Sequence, residues 1–112
     1  MKKSFSDAVP EHRGIQDVVC YLPVNIESKE ELFEALANVF SFPGFFGMNW
    51  DALSDMLMHL DELFPDKERV VLVHQDVPLK SNQGQKELYL DILSRAIEKS
   101  ETGGPKFEVV FL

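Results

Sequence analysis

The sequence predicts a small α/β fold in which helices cover a three-stranded parallel sheet. Three short apolar runs, at 17–24, 69–74 and 107–112, alternate with segments whose apolar residues recur at helical spacing. Strands that are separated by helices need crossover connections, and such connections place the strands parallel in one sheet. A chain of 112 residues, 45% of them hydrophobic, holds one such domain without disulfides or metal.

The first predicted strand follows a lead-in of 16 residues. Residues 1–16 show no apolar periodicity, and we expect them to be extended or disordered before a domain that spans 17–112. The run 17–24 is almost continuously apolar, which is typical of a strand covered on both faces. Cys20 lies in this run and is the only cysteine, so we expect a buried, unreactive thiol and no internal disulfide.

A capping box predicts where the first helix begins. The Ser28 side chain can accept a hydrogen bond from the backbone amide of Glu31, whose carboxylate can reach back to the first turn. Pro43 and Gly44 end the helical region. The apolar residues that recur at helical spacing between these limits are Leu32, Leu36, Val39 and Phe40.

Asn49 is a favourable N-cap residue and predicts the start of a second helix. Pro65 ends this helix, because proline cannot continue the helical hydrogen-bond ladder. We expect one face to pack on the core and the opposite face to be exposed. The residues of the apolar face are Trp50, Leu53, Leu57 and Leu60.

The second half of the chain predicts a strand, a helix and a strand. The run 69–74 contains Val-Val-Leu-Val and is typical of a buried strand. Residues 75–84 form a connection, since they include proline, serine, asparagine and glycine. Two glycines and a proline separate the last helix from a terminal strand at 107–112. The apolar residues of that helix are Leu88, Tyr89, Ile92, Leu93 and Ala96.

The chain is acidic, and its charge is unevenly distributed. Nineteen carboxylates and eleven Lys and Arg residues give a formal net charge of −8. Nucleic acid and anionic membranes repel such a protein, so we expect neither as a direct partner. Between Glu31 and Asp66 there are seven carboxylates and no Lys or Arg, where average composition would place about three or four basic residues. We therefore expect a strongly negative surface region, which suits a basic protein partner.

Targeting signals are not evident in the sequence. The residues from Met1 to Asp7 lack the apolar segment of a signal peptide. No stretch approaches the ~20 apolar residues of a membrane-spanning helix. Together with the single cysteine, these features predict a cytoplasmic protein.

Two aspartates on the second helix are the candidate functional groups. Asp51 and Asp55 are four residues apart and therefore project from the same helix face. Like charges at this spacing mildly destabilise a helix and favour a bound cation. The same pattern also occurs on helix faces that are simply solvated. A metal site is another alternative, because His59 follows four residues later, but no second His or Cys cluster completes it.

The segment around these aspartates resembles the signature of barstar-family ribonuclease inhibitors. That signature is a proline, two adjacent aromatics, glycine, any residue, asparagine, and a helix that reads apolar-Asp-Ala-Leu with a second aspartate four residues on. The order of strands and helices also agrees over 17–112, so the resemblance implies a barstar-like fold. The matching positions are Pro43, Phe45, Phe46, Gly47, Asn49, Trp50, Asp51, Ala52, Leu53 and Asp55.

The resemblance implies a protein-binding function without catalysis. In the family, the helix with the two aspartates and the loop before it plug the active site of a basic ribonuclease. The match to Asp55 takes the place of a substrate phosphate, and the match to Asp51 pairs with further basic groups. The aromatics matching Phe45 and Phe46, which we expect to be exposed, pack on the enzyme, and the match to Gly47 allows close backbone approach. The implied partner is a barnase-like ribonuclease, bound 1:1 by a monomer without cofactor or metal.

Several positions depart from the family pattern. Ser54 stands where the namesake has a tryptophan between the two aspartates. Both aromatics are phenylalanines here and tyrosines there, which removes two hydroxyl donors. The family uses a glutamate on the last helix, and different alignments put Glu98, Lys99 or Arg95 at that position. We keep Ser54, Glu98 and Asn49 as further candidate partner-binding residues.

Two other classes of function remain compatible with the sequence. A barstar-fold regulatory or interaction module would bind a different basic protein, and the departures at Ser54 and on the last helix favour this alternative. An enzyme would need a catalytic group, yet the histidines are scattered and no glycine-rich phosphate loop is present. The best catalytic candidate is His74, two residues before Asp76 at a strand end. The function that we predict is inhibition of, or immunity to, a basic ribonuclease.

Overall fold

A computed structural model describes residues 5–9, 16–44 and 46–112. Its three strands form one sheet in the order β1-β2-β3, and both strand pairs are parallel. This confirms the predicted fold class, a small parallel α/β sheet covered by helices. The elements are β1 (Asp17–Leu22), α1 (Lys29–Phe40), α2 (Trp50–Met58), α3 (Leu60–Leu63), β2 (Arg69–His74), α4 (Gln83–Ser100) and β3 (Lys106–Phe111).

The four helices share one core with one face of the sheet. Side chains alternate between the two faces of a strand, so every second strand residue enters this core, and all four helices contribute buried residues to it. A smaller cluster of Val71, Val73 and Val110 lies on the opposite face, and none of the three is exposed. The strand residues on the helix side are Cys20, Leu22, Val70, Leu72, Phe107 and Val109.

Ser6, in the described segment 5–9, pairs with β3 at the edge of the sheet. The Ser6 amide donates to the Val109 carbonyl over 2.9 Å, and the Ser6 carbonyl accepts from the Phe111 amide over 2.9 Å. The rings of Phe5 and Phe111 lie 5.2 Å apart, and Val9 packs against the valine cluster on the second sheet face. Within this part of the predicted lead-in, Ser6 therefore pairs with β3 through an isolated bridge, and Phe5 and Val9 pack against the two faces of the sheet.

Side-chain caps explain where α1 and α4 begin. Ser28 Oγ accepts from the Glu31 amide over 3.1 Å, and Glu31 Oε1 accepts from the Ser28 amide over 3.1 Å, so the predicted capping box is confirmed. Asn82 Oδ1 accepts from the Gln85 amide over 3.0 Å at the start of α4. Of the helices in the described ranges, none has the length and apolar character needed to cross a membrane.

Three details of the predicted elements are wrong. The predicted strand 17–24 ends at Leu22, because Pro23 has no amide N–H to extend the ladder. The predicted connection 75–84 is too long, because α4 begins at Gln83. Leu88 does not belong to the apolar face of α4, since it is 41% exposed. It lies one residue away from the true i, i+3, i+4, i+7 stripe, which is Tyr89, Ile92, Leu93 and Ala96.

Cys20 is a core residue, as predicted. Its thiol donates to the Val39 carbonyl over 3.3 Å. Burial raises the pKa of the Cys20 thiol to about 11, so the sulfur stays protonated and a poor nucleophile near neutral pH.

His74 is buried, which removes the best catalytic candidate. His74 Nδ1 donates to the Val110 carbonyl over 3.1 Å, and Nε2 accepts from the Tyr89 hydroxyl over 2.7 Å. Neither His74 nor Tyr89 has any exposed area, and the imidazole stacks on Phe111 with ring centroids 4.1 Å apart. Both ring nitrogens are satisfied by neighbours in the core, so His74 is a structural residue.

Burial of His74 predicts a loss of stability in acid. Burial lowers the pKa of His74 from 6.5 to about 4, although the bond to Val110 opposes the shift. Because the folded-state pKa lies below the unfolded value, the stabilisation is complete above pH 6.5 and disappears as the pH falls through about 4. We expect the free energy of unfolding to fall by up to about 3 kcal/mol across this window. Urea unfolding as a function of pH measures this loss.

Two histidine variants assign the acid effect to His74. His74→Gln cannot take up a proton in this range and should flatten the pH dependence above pH 4. His59→Asn removes an exposed histidine and should retain the acid loss that is assigned to His74. Equal acid profiles for the wild type and His74→Gln would contradict the assignment.

Candidate functional site

The loop between α1 and α2 follows a defined path. Ser41 leaves α1 in the left-handed region with φ 55°, and Met48 adopts φ 53° just before α2. Between them, the Phe46 amide donates to the Pro43 carbonyl over 3.0 Å. Two left-handed non-glycine residues are costly, so the packing of the loop must hold this conformation.

Asn49 caps α2 with both ends of its side-chain amide. Its Oδ1 accepts from the Ala52 amide over 2.8 Å, and its Nδ2 donates to the Gly47 carbonyl over 3.2 Å. A Cβ at Gly47 would lie 3.1 Å from Asn49 Nδ2 and 3.4 Å from Ala52 Cβ. Glycine at position 47 therefore serves the close approach of the loop to the cap.

Replacement of the cap is expected to destabilise the protein. Asn49→Ala leaves the Ala52 amide without its side-chain acceptor and should lower the free energy of unfolding by about 1 kcal/mol in urea titrations. Asn49→Ser keeps an acceptor of the right type and should retain most of that energy. Equal losses in both variants would mean that the contact with Ala52 does not cap α2.

Apolar contacts orient α2 on the core. Leu53 is fully buried and Leu57 is 2% exposed. Trp50 is half-buried, and its ring meets Phe33 of α1 edge-on with centroids 4.9 Å apart. Because this side of α2 is anchored, the opposite side is held in a fixed orientation toward solvent.

Asp51 and Asp55 lie on the exposed side of α2 and form what we call the acidic face. Both residues are exposed, and the Asp55 side chain retains 71% of its accessible area. Asp51 lies in the first turn, where the helix dipole favours a negative charge. Within the described part of the chain, neither carboxylate is paired with Lys or Arg. The acidic face is therefore available to a cationic partner.

His59 ends α2 and lies against Asp55. Its backbone amide donates to the Met56 carbonyl over 3.2 Å, while its ring Nδ1 donates to the Asp55 carbonyl over 2.8 Å. The side chain thus takes the acceptor that the His59 amide would use in a continuous helix. The predicted second helix is consequently split into α2 and α3. His59 Nδ1 also lies 3.4 Å from Asp55 Oδ1.

An open cleft of about 300 Å³ borders Asp55 and His59. It is formed where the loop, α2 and α3 meet, and Glu62 adds a further carboxylate to it. In the described ranges, no three His, Cys, Asp or Glu residues are grouped to hold a metal ion, so the geometry does not support the metal alternative. The lining residues are Pro43, Asp55, Met56, His59, Glu62 and Leu63.

Most of the chain matches the model of a known protein family. The family model described as Barstar (barnase inhibitor) matches residues 19–112. The chain belongs to the barstar family. A search of the curated proteins found no match. The match covers the α1–α2 loop and the acidic face as well as the four helices, β2, β3 and most of β1.

The aromatic pair of this barstar-family loop differs from expectation. Phe46 is only 9% exposed and packs against Phe42, with ring centroids 4.8 Å apart, as part of the core. The expectation of an exposed ring is therefore wrong for Phe46, because the turn at Pro43 directs it inward. Phe45 lies outside the described residues. A partner-binding role for either ring stays a prediction.

Of the remaining candidate residues, Ser54 lies next to the acidic face and Glu98 lies on a different helix. Ser54 is on α2 between the two aspartates and is half-buried. Glu98 is exposed on α4 and borders a shallow depression that does not include Asp51 or Asp55 among its described residues. The region of the last helix where the barstar pattern has a glutamate therefore carries both acidic and basic side chains here. The lining residues are Met58, Arg95, Glu98, Lys99 and Thr102.

His59 is the residue whose role at this site the sequence analysis missed. From the sequence, His59 was a candidate metal ligand only, although its four-residue spacing from Asp55 was the available signal. The helix break could not be inferred, because histidine is compatible with a helix interior.

Proposed function

We propose that this protein inhibits a basic ribonuclease by inserting the acidic face of α2 into the active site of the enzyme. The observation that carries the proposal is the exposure of Asp51 and Asp55 on a helix whose other side is anchored in the core. The proposal is also supported by membership of the barstar family, whose model is described as Barstar (barnase inhibitor). On this proposal the protein binds and does not catalyse.

The chemistry of ribonucleases explains why a carboxylate suffices. Such an enzyme holds the RNA phosphate with preorganised cationic side chains. Asp55 would satisfy these cations with charge-assisted hydrogen bonds and offers no bond that the enzyme can cleave. Asp51 would pair with further basic groups, and binding would relieve the repulsion between the two aspartates. Phe45 and Gly47 would extend the contact along the loop, with Asn49 holding the loop against α2.

The charge distribution supports rapid association. A protein with net charge −8 and an exposed acidic face attracts a basic enzyme over distances of about the Debye length, ~10 Å at 0.1 M salt. We propose that a monomer forms a 1:1 complex in the cytoplasm. Ser54 and Glu98 would lie at the edge of the contact.

Titration against a guanyl-specific, barnase-like ribonuclease tests the proposal. We expect RNA cleavage to disappear at one equivalent of the protein, and the association rate to fall steeply with added salt. Full RNA cleavage in the presence of a large excess of folded protein would contradict the proposal for this class of nuclease.

A second candidate function is regulation of a different basic protein through the same fold. Arg95 and Lys99 support it, because they flank Glu98 on the last helix, where the family pattern has an acidic residue. Arg95 is paired with Asp91 over 2.8 Å and still has 66% of its side chain exposed. The ribonuclease titration separates the candidates, since this alternative predicts no inhibition of RNA cleavage by a folded protein.

A further inference from the structure

His59 lies beside Asp55, the carboxylate on which the proposed function depends most. Its ring Nδ1 lies 2.8 Å from the Asp55 carbonyl and 3.4 Å from Asp55 Oδ1. The side chains of His59 and Asp55 are 48% and 71% exposed, so an incoming protein can reach both. The hydrogen bond to the backbone fixes the ring at the end of α2, which keeps this distance short.

The described residues that line the cleft beside His59 include two carboxylates and no Lys or Arg. Asp55 faces it from α2, and Glu62 borders the same cleft from α3. The other described residues of the cleft, Pro43, Met56 and Leu63, are uncharged. A proton on the imidazole therefore changes the charge of this region by one unit directly beside Asp55.

We propose that His59 is a partner-binding residue that adjusts the charge of the acidic face with pH. A neutral imidazole leaves Asp55 its full negative charge to present to the partner. In mild acid, protonated His59 pairs with Asp55 and also repels the cations of the partner, so binding weakens. The inference rests on the proposed function, because it assumes that Asp55 meets a basic partner.

Two substitutions reproduce the two charge states. His59→Asn is neutral and keeps an N–H donor near the position of Nδ1, so the bond to the Asp55 carbonyl can persist. His59→Lys carries a positive charge throughout the range. Binding of the same barnase-like ribonuclease is measured for the wild type and both variants at about pH 8 and about pH 5.5. Because the wild type and both variants are measured against the same enzyme at each pH, the effect of the enzyme's own titrating groups cancels when they are compared.

The wild type should lose about two- to fivefold more affinity than His59→Asn between the two pH values. His59→Lys should bind more weakly than His59→Asn at both pH values. An identical pH dependence for the wild type and His59→Asn would overturn the inference.

A measurement on the free protein separates this inference from the proposed function. The carboxyl carbon resonance of Asp55 should show a small extra transition as histidine titrates, and His59→Asn should lack it. Failure of the ribonuclease to bind at any pH would overturn the proposed function. Absence of the extra transition would overturn the coupling between His59 and Asp55, whatever the nuclease does.

Discussion

Asp55→Ala is expected to weaken binding to a barnase-like ribonuclease by about 2–5 kcal/mol. This is the usual loss when one partner of a buried interfacial charge pair is truncated, and the namesake complex of the barstar family is one of the examples behind that range. This corresponds to an increase in Kd of roughly 30- to 4,000-fold. The loss is large because the enzyme cations that Asp55 would neutralise remain buried and unpaired in the complex. Most of it should appear as faster dissociation, which surface-immobilised binding kinetics measures.

The same variant should leave the folded state almost unchanged. Asp55 is exposed, so urea unfolding should shift by no more than about 0.5 kcal/mol. Glu34→Ala is the matched control, since it removes one negative charge from an exposed position on α1. Similar losses of affinity in Asp55→Ala and Glu34→Ala would show that only overall charge matters and that α2 does not enter the active site.

Leu53→Ala is expected to lower the free energy of unfolding by about 2–5 kcal/mol. Leu53 is fully buried and anchors the side of α2 opposite the acidic face. Its truncation removes apolar contacts and leaves a cavity that the packed core fills only partly. Urea or thermal unfolding measures the loss.

Leu88→Ala provides the control of identical chemistry. Leu88 is 41% exposed on α4, so its truncation should cost less than about 1 kcal/mol. A loss in Leu88→Ala as large as that in Leu53→Ala would place Leu88 in the core and contradict the helix faces described above.

Regular patterns allowed most of the fold to be predicted. The three apolar runs, the capping box and the N-cap Asn49 each depend on short-range chemistry, and the structure contains all of them. The exposed side of α2 was predictable for the same reason, because Leu53 and Leu57 define the buried side of the helix. In each case a local rule and the tertiary packing agree.

The differences arise where tertiary contacts override local pattern. Phe46 was expected to be exposed because its family counterpart packs on the enzyme, yet the loop turns its ring onto Phe42. Leu88 and Tyr89 fit a helical stripe about equally well in the sequence. In the structure Tyr89 is the buried one of the two, and its hydroxyl is hydrogen-bonded to buried His74. Ser6 carries no strand signal, and its pairing with β3 depends on an edge that only the folded sheet provides.

The most direct test of the central claim is competition for the phosphate subsite of the ribonuclease. A guanosine mononucleotide bound to a barnase-like enzyme is displaced by increasing amounts of the protein, and its release is followed by fluorescence or NMR. If Asp55 occupies the position of a substrate phosphate, the two ligands exclude each other and the apparent Kd of the protein rises in proportion to the nucleotide concentration. A stable ternary complex, with the nucleotide still in the active site and an unchanged Kd, would contradict the account.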